Sequence, residues 1–186
     1  MNKWMTTTLA GALLSTSALF LTPESALAAD DYAGNIGAQF GLSVPDYTGT
    51  TSRTIIGAEG TAKLGSEWGV GAYYLSSSKT ESNNVDFNYQ FYGVRGTYHF
   101  EGDARGAYFG AMVGISKVHL GLVDTSPTNI GALAGYDKML GSLVSLGGEL
   151  SYINVGSSSA TTTNNVNVAV NGFNTLNFLV ALKLWF

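Results

Sequence analysis

The last thirteen residues, Asn174–Phe186, read NTLNFLVALKLWF and alternate without a break. Leu176, Phe178, Val180, Leu182, Leu184 and Phe186 fall on one side. Thr175, Asn177, Leu179, Ala181, Lys183 and Trp185 fall on the other. Successive strand side chains point to opposite faces, so the segment reads as a strand with one wholly apolar face and one mixed face that carries a charge. In water such a strand is an aggregation hazard at any exposed edge. In lipid it is what a closed barrel needs, because every backbone polar group must there be satisfied by another strand.

The other end of the chain reads as a leader. Lys3 supplies a positive start, Leu9–Leu21 an apolar run, and Ala26-Leu27-Ala28 a small-x-small cleavage site. Cleavage is expected after Ala28, leaving residues 29–186 as one barrel domain. The run is too short and poorly flanked to span a membrane as a helix, so an N-terminal anchor is the weaker reading. Beyond it no apolar stretch approaches the ~20 residues that a membrane helix requires. Cysteine is absent, which excludes disulfides and thiolate metal sites. A net charge of −4 without a basic cluster argues against a nucleic-acid partner.

Eight alternating segments fill the remaining chain, separated by turn signals. Tyr32–Val44 sets Tyr32, Ile36, Ala38, Phe40, Leu42 and Val44 against Asn35, Gln39 and Ser43. Thr54–Leu64 sets Ile56, Ala58, Ala62 and Leu64 against Glu59, Thr61 and Lys63. Trp68–Leu75 presents Trp68, Val70, Ala72 and Tyr74 on its apolar face. Phe87–Phe100 has Tyr92, Val94, Tyr98 and Phe100 outward, with Arg95, Thr97 and His99 inward. Gly106–Val118 alternates Ala107, Phe109, Ala111, Val113 and Ile115 with Tyr108, Met112 and Ser116. Asn129–Lys138 carries Ile130, Ala132, Ala134 and Tyr136 outward and Asp137 inward. Leu143–Val155 turns Val144, Leu146, Leu150 and Tyr152 outward and Ser145, Glu149 and Ser151 inward. The terminal strand completes the set. The connections alternate long and short, with polar loops expected over Pro45–Arg53, Ser76–Asp86, His119–Thr128 and Gly156–Asn171. The expected fold is all-β, an eight-stranded antiparallel transmembrane up-and-down barrel.

Aromatic side chains favour headgroup depth. Trp68, Tyr98, Phe100, Tyr108 and Phe186 are therefore expected to form a girdle at the short-turn end. Tyr47, Tyr74, Phe87, Tyr152 and Phe173 are expected to form its counterpart at the other end. The parity of Val166, Val168 and Val170 continues that of Leu176 and Phe178, which suggests that the last strand projects beyond the membrane.

Inside, Glu59 and Arg95 fall at one depth, and Glu149 and Lys183 lie on neighbouring strands. A lone buried charge is costly and a paired set tolerable, so these four are expected to form a structural ion-pair network plugging the lumen. An eight-stranded barrel has just enough interior for side chains to fill. Inward glycines, including Gly57, Gly71, Gly93, Gly110, Gly114, Gly131, Gly135 and Gly147, leave space beside the larger groups. No metal or cofactor site is expected, since His99 and Asp137 on separate strands make no ligand set.

The terminal LKLWF resembles the ending of bacterial outer-membrane β-barrel proteins. Gly135-Tyr136-Asp137 and Ser145-Leu146-Gly147-Gly148-Glu149-Leu150-Ser151-Tyr152 add a likeness to the eight-stranded members, the OmpA transmembrane domain and the OmpX-like barrels. The resemblance spans Tyr32–Phe186 and implies an outer-membrane location after export. It implies contact with outer-membrane lipid and lipopolysaccharide, and passing contacts with periplasmic chaperones and the barrel-assembly machinery. Phe186, Leu184 and Leu182 would be the assembly signal. Both termini and the short turns would then lie on the periplasmic side. With no peptidoglycan-binding domain after Phe186, the anchoring role of full OmpA does not carry over. Some small barrels modify lipid A with His and Ser near the outer leaflet. Ser116-Lys117-Val118-His119, with Asp124 nearby, matches neither the palmitoyltransferase nor the deacylase pattern. The expectation is a monomeric, non-enzymatic barrel with a structural or surface-contact role. A narrow pore or OmpW-like route for small or hydrophobic molecules is the alternative, and a soluble lipocalin-like barrel with its apolar face inside is the third.

Overall fold

The computed structural model describes residues 32–46, 51–82, 85–100, 106–121, 123–161 and 167–186. The expected leader over residues 1–28, Tyr47 and the turn at Glu101–Arg105 lie outside them. Twelve strands run in chain order: β1 (Gly34–Pro45), β2 (Arg53–Leu64), β3 (Trp68–Ser77), β4 (Thr80–Ser82), β5 (Val85–His99), β6 (Gly106–Leu120), β7 (Val123–Thr125), β8 (Thr128–Met139), β9 (Val144–Val155), β10 (Ser158–Thr161), β11 (Asn167–Val170) and β12 (Phe173–Trp185).

Eight of these are staves, each antiparallel to the next in the order β1-β2-β3-β5-β6-β8-β9-β12. The ring closes where β1 pairs with β12, from Asn35↔Trp185 to Pro45↔Thr175. Closure leaves no stave with an unpaired edge. Short connections lie at one end of the barrel, including the Gly65–Glu67 turn, where Gly65 takes φ +80° without a Cβ penalty. The other end carries the long connections. Parts of these pair as strands: β4 folds back on β5, β7 on β6, and β10 on β11. The expected loops at Ser76–Asp86, His119–Thr128 and Gly156–Asn171 are therefore in part hairpin extensions, held by backbone pairing that needs no apolar alternation.

The alternation is inverted relative to a soluble barrel. Phe40, Ile130 and Leu182 are 60%, 62% and 53% exposed, whereas Asn35, Gln39, Glu59, Arg95, Asn177 and Lys183 are all buried. On β12 every odd position from Phe173 to Trp185 is buried, and Val180, Leu182, Leu184 and Phe186 face out. This outward row excludes the lipocalin-like arrangement.

Several aromatic expectations need correction. Tyr108 is buried, because its parity on β6 turns it into the lumen between the outward Ala107 and Phe109. Phe109 takes its place, packing with Tyr98 and Phe100 at ring-centroid distances of 5.5 and 5.3 Å beside Trp68. Phe87 and Phe173 also turn inward; their rings lie 5.7 Å apart and join Tyr89 and Phe91 in a lumen cluster. Tyr32 precedes β1 and leaves its outward parity to pack on Trp185 at 6.0 Å, with its hydroxyl donating to the Ser142 carbonyl. The last strand does not run on from Val170. Asn171 and Gly172 separate β11 from β12, and Val170 is buried rather than outward.

Candidate functional site: the lumen

The lumen divides along the barrel axis by chemistry. Toward the short-turn end it holds charges, with Glu59 on β2, Arg95 on β5, Asp137 on β8, Glu149 on β9 and Lys183 on β12 all turned inward. Arg95 donates from Nη1 to Glu59 Oε2 and from Nη2 to Glu149 Oε2, the latter at 2.6 Å. Lys183 Nζ lies 2.9 Å from Glu59 Oε1 and 2.8 Å from Asp137 Oδ2. Tyr108 donates to Glu149 Oε2 at 3.0 Å and accepts from Lys183 Nζ at 3.3 Å. Gln39 Nε2 donates to Glu59 Oε2 at 3.1 Å. Trp185 caps this end, with Nε1 donating to Ser145 Oγ at 2.8 Å.

The structure thus brings Glu59, Arg95, Glu149 and Lys183 into one connected set. Sequence reasoning omitted Asp137 and Tyr108 from it. The signal for Asp137 was present, since an inward acid at the end of β8 needs a cation at its own depth. Glycines stand beside the charged residues in register: Gly37 between Glu59 and Lys183, Gly71 beside Arg95, Gly147 beside Asp137, and Gly135 beside Tyr108 and Glu149. A Cβ on Gly37 would stand 3.0 Å from Lys183 Cγ and 3.3 Å from Glu59 Cγ. The missing side chains are the room that the long ones occupy.

Above this network the lumen turns apolar. Ile55, Leu75, Phe87, Tyr89, Phe91, Val118, Ile153, Val155 and Phe173 are buried together. Several polar groups within this half bond one another: Tyr73 donates to Asn129 Oδ1 at 2.7 Å, and Asn129 donates to Ser116 Oγ at 3.0 Å. Ser43 Oγ lies 2.6 Å from both Tyr89 Oη and Thr175 Oγ1 and donates to Asn177. Near the loop end Arg53 stacks on Phe87, its guanidinium carbon 4.5 Å from the ring centroid, and donates to the Phe87 carbonyl. The expectation of a polar plug therefore describes the turn-side half only. Interior volume in the loop-side half is filled by rings because Phe87, Tyr89, Phe91 and Phe173 share the inward parity.

The residues weighed for catalysis do not converge. Ser116 is fully buried in the lumen, while His119 lies on the opposite parity, outside the wall. His119 Nδ1 lies 2.7 Å from Asp124 Oδ1, with no serine in that pair. Nucleophile and base need mutual hydrogen-bond reach, which opposite faces of one strand deny. Among the described residues no group of three or more His, Cys, Asp and Glu is placed to hold a metal ion.

The closed eight-stranded antiparallel barrel with apolar side chains outward is a fold shared with solved outer-membrane proteins. Neisserial surface protein A superposes with a TM-score of 0.66 at 14% identity, covering 83% of this chain and 97% of that one. The attachment invasion locus protein Ail of Yersinia pestis gives 0.56 at 10% identity, over 84% of this chain and 100% of its own. OprG of Pseudomonas aeruginosa gives 0.52 at 13% identity, over 83% and 97%. At such identities the likeness is one of fold. No family model matches the chain, and no curated protein matches it by sequence.

Proposed function

We propose that this chain is a non-enzymatic integral barrel of the bacterial outer membrane, reached after export, and that it acts through the loops it displays. The observation that carries the reading is the inverted sorting of the wall. A row such as Phe40, Ile56, Val94, Val113, Ile130 and Val180 faces outward, while the acids and bases pair within. Lipid-facing rows of this kind suit a hydrocarbon layer, and closure satisfies the backbone there. The network of Glu59, Arg95, Glu149 and Lys183, extended by Asp137, serves structure. With the aromatic cluster it fills the lumen and leaves the barrel a scaffold rather than a conduit. Phe186, Leu184 and Leu182 form the outward C-terminal row that assembly factors would read during biogenesis.

The surface-contact role draws on the long connections, since binding residues concentrate on loops carried by a rigid scaffold. One fold neighbour is an attachment invasion locus protein, whose structure is also known in complex with the heparin analogue sucrose octasulfate. The pore alternative would require the rings of Phe87, Tyr89, Phe91 and Phe173 to part. The deciding experiment folds the chain into phospholipid vesicles and planar bilayers. The expected result is heat-modifiable migration on a detergent gel with no steady single-channel conductance. Discrete conductance steps would replace the scaffold reading with transport, and failure to insert would remove the membrane reading altogether.

A further inference from the structure

We infer that a cleft on the outside of the wall, at the loop ends of β5 and β6, binds the phosphorylated headgroup of a membrane lipid. The inference rests on the proposal that the barrel spans a membrane with its long loops outward. On β6 the outward row runs Ala107, Phe109, Ala111, Val113, Ile115 and then, about 7 Å further along the strand, Lys117. The outward row of β5 changes at the same level. Tyr92 pairs with Ile115, and the next outward pair is Gln90↔Lys117, followed by Asn88↔His119. A lipid-facing lysine is costly at the bilayer midplane and cheap near the interface. The Gln90–Lys117 row therefore marks headgroup depth, one step above the apolar belt.

At that depth the wall is concave. β7 folds back on β6 and sets Asp124 opposite His119, and Lys79 follows β3 from the other flank. Together with Asn88, Gln90 and Lys117 they line a cavity of about 390 Å³. That lies within the ~300–1,000 Å³ of ordinary small-molecule sites. Asp124 is the one carboxylate among the residues lining the cleft, and it is engaged by His119 at 2.7 Å. Lys79 and Lys117 have no ion-pair partner among the described residues. Two unmatched ammonium groups beside two carboxamides suit an anion with several acceptor oxygens, and lysine holds phosphate well as a point charge. The Tyr92 and Ile115 row directly below supplies the apolar surface along which acyl chains would descend. A free phosphate would have no use for it.

The test uses the full barrel folded in maltoside micelles and offers a bis-phosphorylated disaccharide lipid, its dephosphorylated counterpart, and inorganic phosphate. Retained lipid is read by native mass spectrometry, and folding by heat-modifiable migration of the same samples. The wild-type chain should prefer the phosphorylated lipid by about 25-fold, the product of roughly fivefold for each lysine at a charged membrane surface. Lys79→Gln and Lys117→Gln should each remove about fivefold and the double variant nearly all of it. Lys138→Gln, at the other end of the barrel, should change nothing. Equal retention of the two lipids, or an undiminished preference in the double variant, would overturn the cleft. Displacement of the lipid by inorganic phosphate at equal concentration would overturn the lipid as occupant. A wild-type chain that folds but shows no preference sinks only this proposal. One that does not fold into a lipid or detergent phase sinks the membrane reading beneath it.

Discussion

Lys183 joins two carboxylates, Glu59 and Asp137, and its loss has a cost that follows from the charge count. The network holds three acids, Glu59, Asp137 and Glu149, against two bases, Arg95 and Lys183, a formal charge of 2 − 3 = −1. Lys183→Met keeps the stem volume and takes the set to −3 + 1 = −2. Glu59 still holds Arg95, but Asp137 keeps no cation among the described residues. Breaking a buried pair from one side typically costs about 3–5 kcal/mol. Asp137→Asn does the opposite. It brings the set to 2 − 2 = 0 and leaves Lys183 its contact with Glu59, so its cost should stay within about 1 kcal/mol, the value of one ordinary hydrogen bond. The double variant should cost less than the sum by about 2 kcal/mol, a coupling well inside the range for directly bonded residues. Urea unfolding in lipid vesicles, followed by tryptophan fluorescence and gel migration, measures all three. A Lys183→Met barrel no less stable than Asp137→Asn, or simple additivity in the double variant, would refute the reasoning.

Other outcomes follow from the same geometry. Phe173→Ala should cost about 3–5 kcal/mol in the same unfolding assay, since it opens a cavity between Phe87 and Tyr89. Gly135→Ala should destabilise by about 1–3 kcal/mol, because its Cβ would collide with the Tyr108 ring and stand 2.8 Å from the Gly148 carbonyl oxygen. Val180→Arg, in the outward row of β12, should cost roughly 2–4 kcal/mol in vesicles, and Val180→Leu almost nothing. Replacing residues 157–171 with a short turn should leave vesicle insertion and heat-modifiable migration intact, because among the described residues β10 and β11 pair with each other and with no stave.

The outward rows were legible because the staves alternate, and an inward ion or amide such as Glu59 on β2, Asp137 on β8 or Lys183 on β12 says which parity faces in. Tyr108 shows where a second rule misled. Its parity places it inward, but aromatics at strand ends suggest a girdle, and the local pattern prevails because a one-residue slip would bury Ala107 and Phe109 instead. Phe87 and Phe173 were misplaced for the same reason. The hairpin extensions β4, β7 and β10 escaped notice since short polar runs pair through the backbone without hydrophobic periodicity, whereas the alternation of Val168 and Val170 in β11 was read as a continuation of the last strand. The partners across the lumen were the least legible part. Parity states that Asp137 and Lys183 both point inward. Their contact at 2.8 Å depends on the stagger between strands, which no single strand records.

Gly37 sits on β1 at the seam, flanked in register by Glu59 on β2 and Lys183 on β12. The lysine on the final strand thus reaches over the first strand, where a side chain is missing, to an acid on the second. That contact cannot exist until the two ends of the chain have met in the correct register, and a slip of one residue would turn Lys183 toward lipid. The ion pair works as a latch on the seam, spanning the β1–β2 junction and the one that turns an open ribbon into a ring. Filling the notch at Gly37 would obstruct the latch while leaving every charge of the network in the sequence.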